Sequence, residues 1–475
     1  MRLKRRSTRS EDTRSTSAIE DEERKQSLLG RVTGISVYLF ERGMPDPFVF
    51  AVLLTLSGAF LALMFAPNAT VPSVALAWYG GIFAIFAFAF QMVIMLVAGY
   101  ALAIARPVQR GLAKIASLVS TPQSAISLTI AVSLIASWIN WGLGLVTAAL
   151  LAREIAKRVR LDFGWLVAAA YTGFVVSTEG LSGSIALSQA THGSALNIVE
   201  KVTGHGIPLG ETVFTRFNLI PCLILLITLP MIFRALQPIE RNTIVADPER
   251  LRKEDQQVHT REREDGFGSK LDNAWILNLV LVAFGLFALI VQWQHTGFAL
   301  DLNSVIIMLI LGGLLLHWRP FAYIGAVKHA ARISGSLILQ YPLYGGLMGI
   351  ITTTGLAGVL SRIFIRFSTE RTLPFFTYLT SMIITLFVPS GGGHWAVQGP
   401  FAVPAAQALH SSLAGTTMAV AMGESVANML QPFWALPILA IAGIKMRRMM
   451  GFMVVTFAVS ALAFGLSLLF LVPTQ

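Results

Sequence analysis

The sequence predicts an all-α polytopic membrane protein built of inverted structural repeats, with two re-entrant helical hairpins and broken helices. Three observations predict it. Of 475 residues, 55% are hydrophobic and 13% are charged, against about 25% charged in a soluble domain, and the mean hydropathy is +0.67. The apolar residues fall into uncharged runs close to the ~20 residues that a bilayer requires. The basic residues, which give a net charge of +11, gather in short stretches between those runs, as cytoplasmic loops do. This composition excludes a soluble enzyme and a disordered chain, and the loop placement of the charge argues against a nucleic-acid partner. Cys222 is the only cysteine and lies in an apolar run, which excludes a disulfide framework and a cysteine-based metal cluster.

The elements follow in order. Residues 1–40 read as a polar cytoplasmic tail and interfacial segment, because no long apolar stretch follows the early cluster of Arg2, Lys4, Arg5 and Arg6. Residues 41–233 form the first transmembrane repeat. Its first spans, 47–66 and 81–105, are joined by an uncharged loop, 67–80, expected outside. Residues 115–152 lack charge, but Arg106, Arg110 and Lys114 precede them and Arg153, Lys157, Arg158 and Arg160 follow. A segment with cytoplasmic charge at both ends enters and leaves on one side. It is therefore expected to be a re-entrant hairpin with its tip at Ile139–Gly144. Spans at 164–190 and 213–233 complete this half. Residues 234–273 form a charged cytoplasmic loop, 274–293 a linking span and 294–475 the second repeat. That repeat has spans at 303–317, 333–354, 417–443 and 450–472 and a second hairpin at 375–409. The whole amounts to about nine spans and two hairpins.

The internal repeat is carried by Ser133–Gly144 and Ser381–Gly392, apolar helices that each run into a glycine-rich break at an offset of 248 residues. The same offset carries 81–105 onto 329–353, and carries Thr178-Glu179 close to Gly423-Glu424. One linking span inverts the second half against the first. Lys445, Arg447 and Arg448 then fall inside, whereas Arg362, Arg366 and Arg371 fall outside against the positive-inside rule, with Ser361–Arg366 read as an interfacial helix. Inverted repeats with helices broken near the midplane are the architecture of secondary transporters.

The chemistry lies in the breaks. In Phe387–Phe401, Pro389 and the three glycines Gly391, Gly392 and Gly393 interrupt a helix and Pro400 suits a new one. Such a gap offers N–H groups to an anion and carbonyls to a cation, and Ser390 and His394 add a hydroxyl and an imidazole. The second break, Met422–Pro437, holds Glu424, Asn428 and Gln431 at spacings of four and three, one helical face, with Pro432 starting a fresh half-helix. An ionisable side chain inside a span marks function by default, and Glu424 is the group expected to couple ion and substrate. In the first half, Thr178, Glu179, Ser182 and Ser184 are the counterpart, with Asn140 and Gly142 at the hairpin tip. The expected substrate-binding set is Asn140, Gly142, Ser182, Ser184, Ser390, Gly391, Gly392, Gly393 and His394; the ion-coupling set is Glu424, Asn428, Gln431 and Thr178. A sodium site is a candidate near Asn140, Ser182 and Ser390. No further cofactor is expected, and the coupling ion, sodium or proton, stays open.

The sequence contains no Gly-x-x-x-x-Gly-Lys-Ser/Thr loop and no His-Glu-x-x-His pattern, so neither direct ATP drive nor zinc-protease chemistry is expected. No Arg or Lys is available deep in the spans, which disfavours a multiply charged anion. Dicarboxylate transport, a membrane-embedded transferase and a channel are the rival classes.

Val388-Pro-Ser-Gly-Gly-Gly-His-Trp, Gln398-Gly-Pro-Phe and Pro404-Ala-Ala-Gln-Ala-Leu resemble the short-chain fatty acid transporter family. Ile139-Asn-Trp-Gly-Leu-Gly-Leu, Ala152-Arg-Glu-Ile-Ala-Lys-Arg-Val, Gly180-Leu-Ser-Gly-Ser, Gln431-Pro-Phe-Trp-Ala-Leu-Pro and Met44-Pro-Asp-Pro47 support the likeness over about 40–472. The resemblance implies uptake of small monocarboxylates such as butyrate or acetoacetate, in the wider ion-transporter group with two hairpins and inverted repeats. The expected location is a bacterial-type inner membrane, multi-pass, with the amino terminus cytoplasmic; a homo-oligomer is compatible with the sequence. Glu179 departs from the family pattern, where a neutral residue is expected, and so does the charged tail before Gly30.

Overall fold

The computed structural model describes residues 47–67, 69–238, 249, 251, 267–332, 334–431, 433–444 and 446–474. The expected tail 1–40, the Met44-Pro-Asp part of the opening motif, most of the charged loop 234–273, Pro432 and Lys445 lie outside the described residues.

Hydroxyl and acidic caps decide where the helices begin. The first half holds α1 (Pro47–Phe65), α2 (Val71–Ala84), α3 (Phe86–Ala103), α4 (Arg106–Ala116), α5 (Pro122–Ile139), α6 (Trp141–Ala156), α7 (Phe163–Thr172), α8 (Ser184–Ala190) and α9 (Arg216–Ala235). The apolar α10 (Trp275–Thr296) links it to α11 (Leu302–His317), α12 (Pro320–Ala331), α13 (Gly335–Thr353), α14 (Leu356–Phe367), α15 (Leu373–Thr385), α16 (Gly391–Ala408), α17 (Leu413–Asn428), α18 (Ala435–Ala442) and α19 (Arg447–Phe470). Thr121 opens α5 by accepting from the Ser124 N–H, Asp162 opens α7 from the Trp165 N–H, and Asp301 opens α11 from the Ser304 N–H. Each cap satisfies one of the N–H groups that a helix start leaves orphaned.

The order of elements recurs. Shifting α2 to α8 by 248 residues puts each start within three residues of the start of α12 to α18. The packing recurs as well: α1 and α2 lie against α13, while α11 and α12 lie against α3. α9 and α19 pack on each other. The two halves therefore exchange their leading helices, and the core sits between the broken helices they enclose.

Among the described residues six helices are long and apolar enough to cross a bilayer singly: α1, α3, α5, α9, α10 and α19. α13 and α14 together reach that length but bend by 77° at their junction. The expected spans 164–190 and 417–443 are each two helices around an unwound stretch, α7 with α8 and α17 with α18. α10 and α1 keep only 17% of their apolar windows buried within the chain, so their remaining surface is suited to lipid.

One expectation is corrected. Residues 67–80 are not a plain loop, because α2 occupies most of the segment. Thr70 accepts from the Ser73 N–H and Ser73 Oγ accepts from the Thr70 N–H at 2.8 Å, a reciprocal cap, and Pro72 fits the first turn. The helix then packs tightly on α13. A Cβ added at Gly81 would stand 2.3 Å from the Gly345 carbonyl oxygen, and one at Gly349 would stand 2.2 Å from the Ala77 oxygen. Small residues allow backbones this close, which is how helices associate where lipid removes the hydrophobic drive. The basic stretch before α5 is helical too, as α4, with Arg106, Arg110 and Lys114 along it.

Candidate functional site

Two helix–break–helix units meet at the centre. Asn140 ends α5 and starts α6 in extended backbone (φ −154°, ψ 127°), and its Oδ1 accepts from the Leu143 N–H at 2.8 Å. The unwound residues 177–183 after α7 complete this tip. Ser182 Oγ accepts from the Trp141 N–H at 2.9 Å, and the Leu181 N–H donates to the Trp138 oxygen at 2.8 Å. The second unit uses the same device with different side chains. Gln431 Nε2 donates to the Thr385 oxygen at 2.5 Å and Trp434 Nε1 to the Pro389 oxygen at 2.7 Å, so the break after α17 ties down the end of α15.

The two tips differ in one respect. The first turn of α6 is capped by Asn140 and Ser182, whereas Ser390 makes no side-chain cap on α16. Its Oγ turns away and donates to the Tyr341 oxygen at 3.1 Å. The first intrahelical bond of α16 runs from the His394 N–H to the Ser390 oxygen, so the glycine N–H groups before it form an open helix start.

That start faces a cavity of about 30 Å³ lined by Met92, Trp141, Phe174, Ser177, Thr178, Ser184, Leu337, Tyr341, Ser390, Gly391, Glu424 and Trp434. In this conformation the space is closed down to room for a few water molecules, less than a small-molecule site of roughly 300–1,000 Å³. One wall is aromatic: Trp141 meets Trp434 edge-on at 5.2 Å, and Phe174 lies 5.7 Å from Trp434. The other wall carries hydroxyls and a carboxylate. A second hollow is lined by Leu102, Ile139, Leu181, Leu209, Leu300, Val305, Met308, Leu309 and Gly312. It has no charged or hydrogen-bonding side chain with which to recognise a polar head.

Of the residues expected from sequence, Thr178, Ser184, Ser390, Gly391 and Glu424 line the cavity. Asn140, Gly142 and Ser182 belong to the α6 tip beside it. Gly392 and Gly393 pack against Phe88 and Tyr344, where a Cβ would stand 2.3 and 2.4 Å from the rings. His394 lies behind the cavity between Thr385, at 3.0 Å from Nδ1, and Gln398, at 2.6 Å from Nε2. Gln398 Nε2 donates to the Thr377 oxygen, which turns its Oε1 toward the imidazole. This histidine joins α16 to the end of α15. The candidate sodium trio is divided: Asn140 and Ser182 share the first turn of α6, while Ser390 bonds Tyr341 on the other tip.

Glu424 is 2% exposed. Its Oε1 accepts from Asn428 Nδ2 at 2.7 Å, and its Oε2 has no partner. That oxygen is 3.3 Å from where a Cβ on Gly391 would stand, so it points at the open start of α16. Glu179 is also fully buried, and Ser425 Oγ lies 2.7 and 2.9 Å from its two carboxylate oxygens. Among the described residues no Lys, Arg or His is within ion-pair distance of either carboxylate. Tyr341, Trp141, Trp434 and Ser425 went unselected from sequence. The first three are apolar-run aromatics, and Ser425 looks like an ordinary helix serine beside Glu424.

The all-helical chain with its crossing-length helices and central broken segments has the fold of a polytopic membrane transporter. Solved structures share that fold. The YdaH transporter of Alcanivorax borkumensis, described as having an unusual topology, aligns with a TM-score of 0.57 at 17% identity over 89% of this chain and 98% of its own. MtrF of Neisseria gonorrhoeae, described as illuminating a class of antimetabolite efflux pumps, aligns at 0.55 and 13% identity over 93% and 97%. The chain itself belongs to the short chain fatty acid transporter family, whose family model matches residues 28–471. A relative in Escherichia coli (strain K12), named provisionally as a short-chain fatty acid transporter, is 38% identical over 442 residues, 93% of this chain and 99% of the relative. One from Haemophilus influenzae (strain Rd), named likewise, is 34% identical over 448 residues, 94% and 100%. The family places the chain among transporters rather than enzymes.

Proposed function

We propose that the protein is a secondary transporter that takes up short-chain monocarboxylates, such as butyrate or acetoacetate, across a bacterial inner membrane with a coupling cation. In this reading the two halves are inverted repeats, α5–α6 and α15–α16 are re-entrant hairpins, and the amino terminus is cytoplasmic. The observation that carries it is the open N-terminus of α16 beside a cavity with an aromatic wall. The substrate carboxylate sits at the glycine N–H groups, where the helix start favours negative charge. Its short chain lies against Trp141, Phe174 and Trp434. A second carboxylate on the substrate would meet Glu424 and Glu179 with no basic residue to balance it, so a dianion is excluded from the site.

Glu424 gives the coupling. A bare carboxylate aimed at the start of α16 competes with the substrate for the same positive end. A cation or proton must neutralise it before the substrate binds, and translocation then carries both. The test is uptake of labelled butyrate and acetoacetate into proteoliposomes under separate sodium and proton gradients, with labelled succinate in parallel. Concentrative butyrate uptake under one of the two gradients, without succinate uptake, is expected. Equilibration that never exceeds the external concentration under either gradient would mean a channel and overturn the reading.

A further inference from the structure

The helix α4 turns one face into the protein and leaves the other without a partner. Leu112 and Ala116 are buried in the core, and Val108 and Ile115 pack against it. Arg106, Arg110 and Lys114 recur at every fourth residue on the opposite side, and all three are exposed. The chain just past α6, on which α4 packs, adds the exposed Arg158 and Arg160. Among the described residues none of these cations has an acidic partner. The acidic groups of the stretch are already engaged: Glu154 pairs with Lys157, and Asp162 Oδ1 accepts from the Trp165 N–H at 2.8 Å.

The apolar hollow ends beside this row. Leu102 stands on the last turn of α3, four residues before Arg106, and its Cδ1 lies 3.1 Å from where a Cβ on Gly312 would stand. α11, which packs on α4, lines the hollow from Val305 to Gly312, roughly 10 Å of helix. The hollow holds about 320 Å³, against roughly 150 Å³ for an apolar cavity that excludes water and takes up benzene. Close-packed protein interiors do not keep empty space of this size. Ile135 and Ile139, 54% and 43% exposed, share one side of α5, and Ile139 lines the hollow. The hollow is therefore continuous with a surface suited to lipid.

We propose that the basic face of α4 and this hollow together bind one anionic phospholipid. The phosphate sits on Arg106 and Arg110, and one acyl chain enters the hollow past Leu102. Charge complementarity selects the head, because a row of unpaired cations at a membrane surface attracts anionic lipid and gains little from a zwitterion. The hollow selects the tail, because its lining side chains offer carbon and no hydrogen bond. Its inner wall includes Ile139 and Leu181, which flank the break between α5 and α6. Ile139 precedes Asn140, and the Leu181 N–H donates to the Trp138 oxygen at 2.8 Å. A seated tail braces this tip against α11.

The site is independent of which acid is carried, and its test contains none, so its failure would leave the proposed uptake standing. Purified full-length protein, stripped of lipid in detergent, is melted with increasing dioleoyl phosphatidylglycerol. Parallel arms contain dioleoyl phosphatidylcholine or inorganic phosphate. Phosphatidylglycerol should raise the melting temperature saturably, because a ligand of the folded state alone stabilises it, and neither other arm should do so at the same concentrations. In the double variant Arg106→Gln, Arg110→Gln the half-saturating concentration should rise by at least about tenfold. Gly312→Leu puts a side chain into the hollow and should have the same effect. Should Gly312→Leu fail to assemble, Met308→Trp fills the hollow from the neighbouring turn and carries the same test. A wild type that phosphatidylglycerol does not stabilise overturns the proposal. So does an equal response to phosphatidylcholine or to inorganic phosphate, or a response that the double variant or the filled hollow leaves unchanged.

Discussion

Glu424 and Gly391 face each other across the cavity, and each explains the other. A side chain at position 391 would fill the gap between Ser184 Oγ, 2.6 Å from the Cβ position, and Glu424 Oε2. Glycine leaves the helix start uncovered, and Glu424 is the one carboxylate placed to cover it. Asn428 holds the other carboxylate oxygen and leaves its own Oδ1 unpartnered, so Glu424 is oriented without being neutralised. Glutamine matches the protonated acid in size and carries no charge. Glu424→Gln should therefore keep exchange of labelled butyrate between the two sides of a proteoliposome while losing concentrative uptake, reduced at least about tenfold. Wild-type accumulation by this variant under sodium and proton gradients alike would remove Glu424 from the coupling mechanism.

At the scale of elements, the breaks were legible in the sequence and the contacts between them were not. Pro389, Asn140 and the polar stretch around Thr178 each fall where a helix stops, but Gly391–Gly393 form the first turn of α16, Pro400 lies inside α16 and does not start a helix, and Glu424 lies within α17, which runs on to Asn428. The α2 helix was not legible by charge, since an uncharged stretch between two spans looks like a loop when it contains Pro72, Gly80 and Gly81. Its signals were the Thr70–Ser73 cap and the small-residue spacing of Gly345 and Gly349 on α13. The pairing of Glu179 with Ser425 spans 246 residues, and no local pattern encodes a contact between two separately broken helices. His394 shows the opposite limit: it was expected in the substrate-binding set, but it does not line the cavity and its ring nitrogens meet Thr385 and Gln398. The α2–α13 contact can be tested directly. Gly81→Leu forces a side chain into the Gly345 backbone, and overpacking of this kind costs about 1–3 kcal/mol. The variant should melt several degrees below wild type in nanodiscs, whereas Gly80→Leu, at a position with nothing within 4 Å of its Cβ, should melt as wild type does. Equal melting of the two would mean that α2 does not pack on α13 in the membrane.

For the whole molecule, the order of the helices constrains how the chain sits in the bilayer. α2 to α8 recur as α12 to α18 at one offset, and each half lends its leading helices to the other's central helix. An exchange of this kind is the arrangement that an approximate two-fold axis produces. If that axis lies in the membrane plane, equivalent points of the two halves face opposite sides. α4 and α14 make the sharpest pair, because each follows the central helix of its half and carries exposed basic residues. Lys114 on α4 and Arg362 on α14 are separated by the repeat offset of 248 residues and are both exposed. Lys114 belongs to the basic group that the positive-inside rule puts in the cytoplasm, and Arg362 to the group that inversion puts outside against that rule. The bend of 77° between α13 and α14 turns α14 away from the line of its span, which allows its arginines to remain at the lipid headgroups. In a Cys222→Ser background, Arg362→Cys should react with an impermeant maleimide added to intact cells, and Lys114→Cys should react only after the membrane is opened. Labelling of both from the same side would put the axis along the membrane normal, make the halves parallel repeats and require the Glu424 coupling scheme to be rebuilt on a different path across the membrane.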